Sequence, residues 1–503
     1  MLSARSPVIV GIGQVANNDD DVRCHPVELI ERAVRAALAD AGAVPAERIG
    51  AVYAAPLSVY SDDNAAELIA ARFGLPPGPR VESRYSGAGP QRLLRAACDA
   101  IGAGDIDAAL VVGGVAEASV RRAAARGEAP PAPPTSVWSQ GSGSGLEERE
   151  RVRSGPFHLA AEGRAGAAMP VSYFALVESV LAASAGRDPT AQRAWLGRMM
   201  SRFTEVAATR PGLAWFPEVR SPAELAEVSD ANRLVAEPYV KLMTSFPTVD
   251  LGAAVLVTSE ELAERAGVPE AARVRPWALA AVKEAHPPSG RRHMERSEAL
   301  GAAVRRVLDS VGLGPDDLAT FDLYSCFPAA AQIGAQAFGI DVDDPRGLTV
   351  TGGLPYFGGP GASYSLHGVA CTVERCRSRP GSVGAVVGLG GLINDFSVGL
   401  YSSEPPGRLL LSDDCEDVTA RLEREGVAIT DRREGTATVE AMTVLHERGK
   451  GAVAAPAIAR FADGTRIGAR AASATAARDL AGTTLVGREV RISIRDGAAV
   501  YEA

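Results

Sequence analysis

The chain has 503 residues and a formal charge of −9, with 52 Lys and Arg against 61 Asp and Glu. This acidic balance argues against a nucleic-acid-binding protein, which carries a basic footprint, and no apolar stretch approaches the ~18 residues that a membrane-spanning helix needs. The length predicts two or three domains, and the six scattered cysteines favour a reduced, cytoplasmic protein over a disulfide framework.

The N-terminal segment predicts an α/β fold. Residues 7–13 are a continuous apolar run, typical of a strand buried on both faces of a sheet, and not a signal peptide. An Ala-rich helix is predicted over 27–41 and a second apolar strand over 49–55. Strand, helix and strand in this order indicate a mixed α/β layer.

A region of different composition follows. Residues 126–155 are rich in Pro, Gly, Ser and charged residues, which predicts a loop. Residues 171–210 then predict helices, and 248–259 a buried strand. One apolar helix face is expected to consist of Trp195, Met199, Met200 and Phe203.

An internal duplication organises the chain. Residues 40–53 resemble 309–322: both follow an amphipathic helix, carry a Pro and an acidic residue, and lead into a strand. Residues 107–114 likewise resemble 382–391, each an apolar strand that ends in glycines. The repeat is far longer than the ~20–50 residues of a solenoid unit. It predicts two related α/β halves packed as one body.

The last hundred residues are β-rich and follow a linker at 404–407. Asp463 and Gly464 suit a two-residue hairpin turn, and residues 490–494 alternate as a half-buried strand does. These patterns predict a small antiparallel β-barrel, of the oligonucleotide/oligosaccharide-binding (OB) type or similar.

Each half carries a glycine-rich turn that leads into a helix, at 85–91 and at 352–361. Glycine lets the backbone approach a ligand closely, and a helix N-terminus offers free N–H groups and a partial positive charge. Two such turns that meet would form a site for a developing oxyanion. Either turn taken singly is better explained as a simple helix start.

Over residues 1 to about 403, the chain resembles the thiolase superfamily. The segments PVIVGIGQV, YSGAGPQ, EPYVKLM, VDLGAAVLVTS, DLYSCFPAA and GGLPYFGGPGASYSLHGVA are similar to those of thiolase-like proteins labelled acetyl-CoA acetyltransferases, which carry an extra β-rich C-terminal domain. The resemblance implies a thiolase fold of two duplicated five-layered α/β halves, 1–268 and 269–403. An inserted loop domain is expected at about 119–245 and a small antiparallel β-barrel at 408–503.

The resemblance also implies a chemistry. A Cys at a helix N-terminus takes the acyl group, a His in a Gly-His-Pro turn activates it, and a Cys in a Cys-x-Gly-Gly turn moves a proton. At the matching positions this sequence has Tyr85 (or Ser86 with a shifted gap), Gly359 and Gly388. We therefore expect the standard Cys/His/Cys set to be absent.

Other residues are candidates for the missing roles. Cys326 and His367 lie in segments near the expected site and could act as nucleophile and base; a buried small hydrophobe and a hydrogen-bonded core histidine are the alternatives. A phenol can protonate or orient an enolate, with aromatic packing as the alternative. The candidate phenols are Tyr85, Tyr324, Tyr356 and Tyr364. The candidate ligand-binding glycines are Gly87, Gly358, Gly390 and Gly391.

The segment 286–293, HPPSGRRH, has a composition that suits a metal cluster, but its Pro and Gly residues predict a loop, and no metal is expected. Its arginines, with Arg296, could contact the phosphates of coenzyme A; a solvated loop is the alternative. Coenzyme A or acyl-CoA is expected as substrate or ligand, with no tightly bound cofactor.

The sequence thus predicts a thiolase-like protein of lipid metabolism that acts on acyl-CoA or another acyl thioester. The activity expected is an acyltransferase or a C–C bond-forming or bond-cleaving enzyme with a non-standard active site. The alternatives are a non-catalytic CoA- or acyl-CoA-binding protein, a scaffold whose barrel recruits a partner enzyme, and a retro-aldolase-type lyase. A monomer or a homodimer is expected, without nucleic-acid or membrane partners.

Overall fold

The computed structural model describes residues 3–132 and 160–502, apart from positions 43, 59, 61, 62, 168, 285 and 409. Most of the predicted loop at 126–155 lies outside these residues. Within them, no helix is long and apolar enough to cross a bilayer.

The first half, with its inserted region, contains seven strands and nine α-helices among the described residues. In chain order they are β1 (Pro7–Ala16), α1 (Pro26–Ala41), β2 (Ile49–Ala54), α2 (Ala65–Arg72), β3 (Arg80–Glu82), α3 (Gly89–Ala103), β4 (Ala108–Ala116), α4 (Glu117–Ala125), α5 (Ala160–Arg164), α6 (Pro170–Ser184), α7 (Pro189–Ala208), α8 (Pro222–Ala226), β5 (Leu234–Ala236), β6 (Tyr239–Val240), β7 (Asp250–Ser259) and α9 (Glu260–Arg265).

The second half and the C-terminal region follow. Their elements are β8 (Arg275–Lys283), α10 (Glu298–Val311), β9 (Thr320–Asp322), α11 (Pro328–Phe338), α12 (Tyr364–Ser378), β10 (Val383–Gly390), β11 (Asp395–Ser402), β12 (Leu411–Asp413), α13 (Glu416–Glu423), β13 (Ile429–Thr430), β14 (Gly435–Met442), β15 (Leu445–Glu447), β16 (Gly451–Ala454), β17 (Pro456–Arg460), β18 (Arg466–Ala471), α14 (Ala474–Asp479), β19 (Glu489–Arg495) and β20 (Ala498–Glu502).

The predicted duplication is confirmed by the two sheets of the α/β body. The first sheet has the order β1-β7-β4-β2-β3, and the second contains β8-β11-β10-β9 in the equivalent order. In both, antiparallel pairs on one side join parallel pairs on the other. The strands are apolar on both faces because helices cover both faces of each sheet.

Five layers result from this arrangement, as the fold class predicted. Helices α1 and α2 cover the outer face of the first sheet, and α10 and α11 the outer face of the second. Helices α3 and α12 lie between the two sheets, where their apolar residues pack with both. The backbone of α1 rests directly on β1: a Cβ added at Gly13 would lie 1.9 Å from the carbonyl oxygen of Ala33.

The predicted helices at 171–210 are α6 and α7, and they pack against the second half. The expected apolar face of α7 lies in that shared core, with Trp195 at its edge. A buried carboxylate, Glu178 of α6, joins the layers. It accepts hydrogen bonds from the Tyr239 hydroxyl at 2.7 Å, from Gln192 at 2.5 Å and from Gln332 at 2.9 Å.

This network leads to a prediction. Burial raises the pKa of Glu178, while its three donors favour the ionised form. In Glu178→Gln, an amide N–H₂ replaces one acceptor oxygen and faces groups that are themselves donors. We expect the substitution to cost roughly 1–3 kcal/mol of stability, measured by thermal or urea unfolding. Glu205→Gln, on the exposed side of α7, is the control, and equal midpoints for the two variants would contradict the network.

The C-terminal region forms a closed barrel. Strands β14, β17, β18, β20 and β19 pair in this order, and β19 returns to β14. The predicted barrel is thus confirmed, with one refinement: the pair β18–β20 is parallel, whereas the other four pairs are antiparallel.

The chain does not leave the α/β body at the predicted linker. After residues 404–407, β12 adds to the edge of the second sheet beside β8, and α13 packs near α10. The predicted C-terminal segment 408–503 therefore begins with an edge strand of the second half. A separate sheet, β16-β15-β5-β6, joins hairpin strands of the C-terminal region to strands before β7.

Candidate functional site

The start of α3 and the end of β10 meet in backbone contact. A Cβ added at Gly87 would lie 2.2 Å from the carbonyl oxygen of Leu389. At Gly388 it would lie 2.8 Å from the Gly87 carbonyl oxygen and 3.0 Å from the Cα of Ala88. Only glycines allow this approach. The structure thus brings together three of the glycines singled out in the sequence, Gly87, Gly388 and Gly390.

Polar side chains hold this junction. The Ser86 hydroxyl donates to a carboxylate oxygen of Asp395 at 2.5 Å, and Ser86 Oγ accepts from the Ala88 N–H at 3.2 Å. Arg92 of α3 pairs with the other oxygen of Asp395. On the opposite side, the Ser365 hydroxyl donates to the Gly87 carbonyl at 2.8 Å. Asp395 was not among the predicted site residues, since a carboxylate after a glycine turn has no pattern of its own.

Tyr324 lies at this junction. Its hydroxyl oxygen is 2.5 Å from the position that a Cβ on Gly87 would occupy, and the residue is buried, at 7% exposure. Tyr85 lies beside the second glycine-rich turn, with its hydroxyl 3.0 Å from the Cβ position of Gly361, and is 51% exposed. The Tyr324 hydroxyl therefore lies at the junction itself, and the Tyr85 hydroxyl lies at the second glycine-rich turn.

Both phenols stay protonated at neutral pH. Burial raises the pKa of Tyr324 well above its usual value, and the neighbouring Cys326 and Tyr85 add to the effect. The pKa of Tyr85 is also raised, by partial burial and by Glu117, although half of the residue is exposed. A neutral phenol can donate a hydrogen bond to an oxygen that gains charge.

The structure does not join Cys326 to His367 by a hydrogen bond. Cys326 lies in the loop before α11, where its carbonyl accepts from the Ser245 N–H at 2.8 Å. Burial raises the pKa of its thiol, which disfavours a nucleophilic thiolate. His367 is buried inside α12, with Nδ1 2.8 Å from the Gln14 side-chain oxygen and its ring against Phe357.

Tyr364 and Tyr356 have separate surroundings. Tyr364 packs edge-on against Tyr324, and its hydroxyl is 2.6 Å from that of Thr351. The Thr351 hydroxyl in turn donates to Asp322, a buried carboxylate, at 3.0 Å. The Tyr356 hydroxyl has no partner among the described residues, and the charged group that acts on it is Arg220, in the region before β7.

The remaining glycine candidates are explained by packing. A Cβ on Gly358 would lie 3.0 Å from Val249, and one on Gly359 would lie 2.4 Å from Ser245 Oγ. Ser245 thus fills the space that a side chain at 359 would need. Gly391 has φ +62° and begins the turn between β10 and β11.

The segment 286–293 is a packed segment and not an open loop, with residues 287–291 buried. No group of three metal-ligating side chains occurs among the residues that the structure describes. Arg291 is 5% exposed and donates to the backbone carbonyls of His286 and Ile393. Arg292 pairs with Glu425 at 3.3 Å, and Arg296 with Glu298 at 3.9 Å. The burial of Arg291 was missed, because its partners are backbone groups that are remote in sequence.

Three comparisons with known proteins were made. A scan against protein-family models and a sequence search of curated proteins each found no match. Among solved structures, a monomeric SCP2-thiolase-like protein type 1 from Mycobacterium smegmatis is 30% identical to this chain. The alignment covers 100% of both chains, with a TM-score of 0.82.

Two thiolases share the fold at lower identity. The dimeric peroxisomal thiolase of Saccharomyces cerevisiae is 16% identical, with 80% of this chain and 99% of its own covered and a TM-score of 0.57. A thiolase from Ascaris suum, solved in complex with coenzyme A, is 14% identical, with 79% and 99% covered and a TM-score of 0.56. Given 30% identity over the full length of the first structure and the duplicated five-layered fold, the chain belongs to the thiolase superfamily as a thiolase-like protein.

Proposed function

We propose that this protein binds an acyl-CoA or a related acyl thioester and makes or breaks a C–C bond next to its carbonyl, without a covalent acyl-cysteine. The observation that carries the proposal is the Tyr324 hydroxyl directly over Gly87, where α3 begins against the end of β10. In that position a neutral phenol and the helix N-terminus favour negative charge on the same oxygen.

The absence of a cysteine acyl-enzyme rests on three positions. Tyr85, Gly359 and Gly388 stand where the family resemblance expects Cys, His and Cys. Ser245 and the backbone of Gly87 and Ala88 occupy the space that side chains at 359 and 388 would need. The thiol of Cys326, whose pKa is raised by burial, has no base hydrogen-bonded to it among the described residues.

A retro-aldol cleavage is the reaction that suits neutral phenols best. Solvent water takes the proton of a β-hydroxyl group, the bond between the α and β carbons breaks, and its electron pair becomes a thioester enolate. The β carbon leaves as a carbonyl product, and the α carbon then gains a proton. Tyr324 would donate a hydrogen bond to the enolate oxygen, and Tyr85, the half-exposed phenol, would give its proton to the α carbon and regain one from solvent.

Structures with the same fold support the choice of substrate. One neighbour is described as an SCP2-thiolase-like protein, and the thiolase from Ascaris suum was solved with coenzyme A. Acyl transfer between thioesters would use the same class of substrate.

The test is a comparison of Tyr324→Phe with the unaltered protein. We expect binding of acetyl-CoA, measured by calorimetry, to change little, and cleavage of a 3-hydroxyacyl-CoA to fall by about 10²-fold, the usual loss of one oxyanion donor. Tyr501→Phe, which removes a buried hydroxyl of the barrel, is the control. Cys326→Ala is expected to keep its activity; inactivity of that variant, with Tyr324→Phe active, would overturn the proposal.

A second candidate function is binding of an acyl-CoA without turnover. It is favoured by the close packing at the junction, because Tyr324 and the Leu389 carbonyl fill the space beside Gly87 that a reacting carbonyl would need. Tight binding of coenzyme A together with no cleavage or transfer of acetoacetyl-CoA and 3-hydroxyacyl-CoA would select this function.

A further inference from the structure

The turn between β10 and β11 is strained. Ile393 has φ +60°, a left-handed conformation that β-branched residues very rarely adopt, and its side chain is fully buried. Such a residue persists only where its surroundings enforce it. The turn directly follows Gly388 and Gly390 and directly precedes Asp395, so its position sets the position of the junction with α3.

Arg291 is one of the groups that enforce this turn. Its guanidinium donates to the carbonyl of Ile393 and, through Nε at 2.9 Å, to the carbonyl of His286. The backbone beside it supports the same turn, since the Glu284 N–H donates to the Asn394 carbonyl at 2.8 Å. The second terminal nitrogen of Arg291, Nη1, is buried without a hydrogen-bond partner among the described residues.

The loop that carries Arg291 is held by the C-terminal barrel. Arg466 of β18 is 1% exposed, and its guanidinium donates to the carbonyls of Ser289, Arg291 and Arg292 and to the carboxylate of Glu440. The segment between α13 and β13 also holds the loop, since the Val427 N–H donates to the Gly290 carbonyl at 2.8 Å, and β13 pairs with barrel strand β18.

We propose that Arg466 and Arg291 are positioning residues that act in series. Arg466 orders the loop 286–293 from the barrel, and Arg291 then holds the strained turn 391–394, which keeps Gly388, Gly390 and Asp395 against the start of α3. The barrel thereby helps to set the geometry of the site. The effect of the two arginines on catalysis rests on the proposed function, whereas their effect on the geometry of the turn is independent of it.

The test uses the full chain and the variants Arg466→Lys and Arg291→Lys, with Arg275→Lys as the control. Arg275 is 2% exposed and also donates to carboxylates and a backbone carbonyl, but at the start of β8. A lysine keeps the charge and loses the planar set of donors. We expect amide hydrogen exchange of residues 388–396 to accelerate about tenfold or more in both test variants and to stay unchanged in the control.

A combined variant checks the serial order. Because Arg466 acts through Arg291, exchange in Arg466→Lys/Arg291→Lys is expected to match that of Arg291→Lys alone. For a CoA ester turned over by the unaltered protein, kcat is expected to fall in both single variants, with KM nearly constant. Additive exchange effects, or no local acceleration, would overturn the positioning role. If amide exchange accelerates locally but the unaltered protein turns over no CoA ester, the positioning role is supported and the proposed function is not.

Discussion

Gly388→Ala is expected to destabilise the protein by roughly 3 kcal/mol, at the upper end for overpacking in a core. The added Cβ would meet the Gly87 carbonyl oxygen at 2.8 Å and the Ala88 Cα at 3.0 Å, both backbone atoms. These atoms move only if α3 moves away from β10. The loss should appear as a thermal unfolding midpoint several degrees lower.

Further variants serve as controls for this prediction. Gly102→Ala, in α3 with no atom within 4 Å of its Cβ position, is expected to gain roughly 0.5–1 kcal/mol from helix propensity. Ser397→Ala removes the Ser397 hydroxyl oxygen, which would lie 2.5 Å from a Cβ added at Gly388. If Gly388→Ala in a Ser397→Ala background regained full stability, the side chain and not the junction would be the obstacle. Gly388→Cys, which places the family's cysteine there, is expected to be at least as unstable.

Acid is expected to destabilise the fold through His367. Burial lowers its pKa from 6.5 to about 3. Because the folded state then binds fewer protons than the unfolded chain, stability is full above pH 6.5 and falls as the pH drops toward 3. This one residue accounts for about 2 kcal/mol at pH 5, at about 1.4 kcal/mol for each pKa unit. Protonation would place an N–H at Nε2, which has no partner among the described residues.

The measurement is unfolding stability between pH 7.5 and 5 for the unaltered protein and His367→Gln. We expect the slope with pH to be smaller in the variant, although a part persists because burial also lowers the pKa of His25, to about 4. His293→Gln, at a partly exposed side chain, is the matched control for the loss of a histidine. Equal slopes in all three proteins would show that His367 is protonated without penalty.

The sequence predicted the fold well because the signals were local. The repeated order of amphipathic helix, Pro, acid and strand at 40–53 and 309–322 reappears as α1 with β2 and α10 with β9. Alternating residues near 490–494 form barrel strand β19. The short β12 was not predicted, because its place beside β8 depends on an open sheet edge that no local pattern reveals.

The site was predicted only in part. Glycine patterns and the family resemblance indicated Gly87, Gly388 and Tyr324, which lie together. The predicted pair of Cys326 and His367 is not hydrogen-bonded, because His367 turns toward Gln14 of β1. Arg291 was predicted only as a possible contact of the coenzyme A phosphates, and Arg466 was not predicted at all. Both act on backbone carbonyls, and a carbonyl is present at every position of a sequence.

The small sheet that joins β5 to β15 has a consequence for how the chain is made. Leu445 pairs with Ala236, and roughly 210 residues separate them, so this pairing waits until residue 445 has left the ribosome. Until then the edge of β5 is open and exposed to other nascent chains. Products that end before residue 445 should therefore be prone to aggregation, and chaperones are expected to protect the edge of β5 until that residue is available.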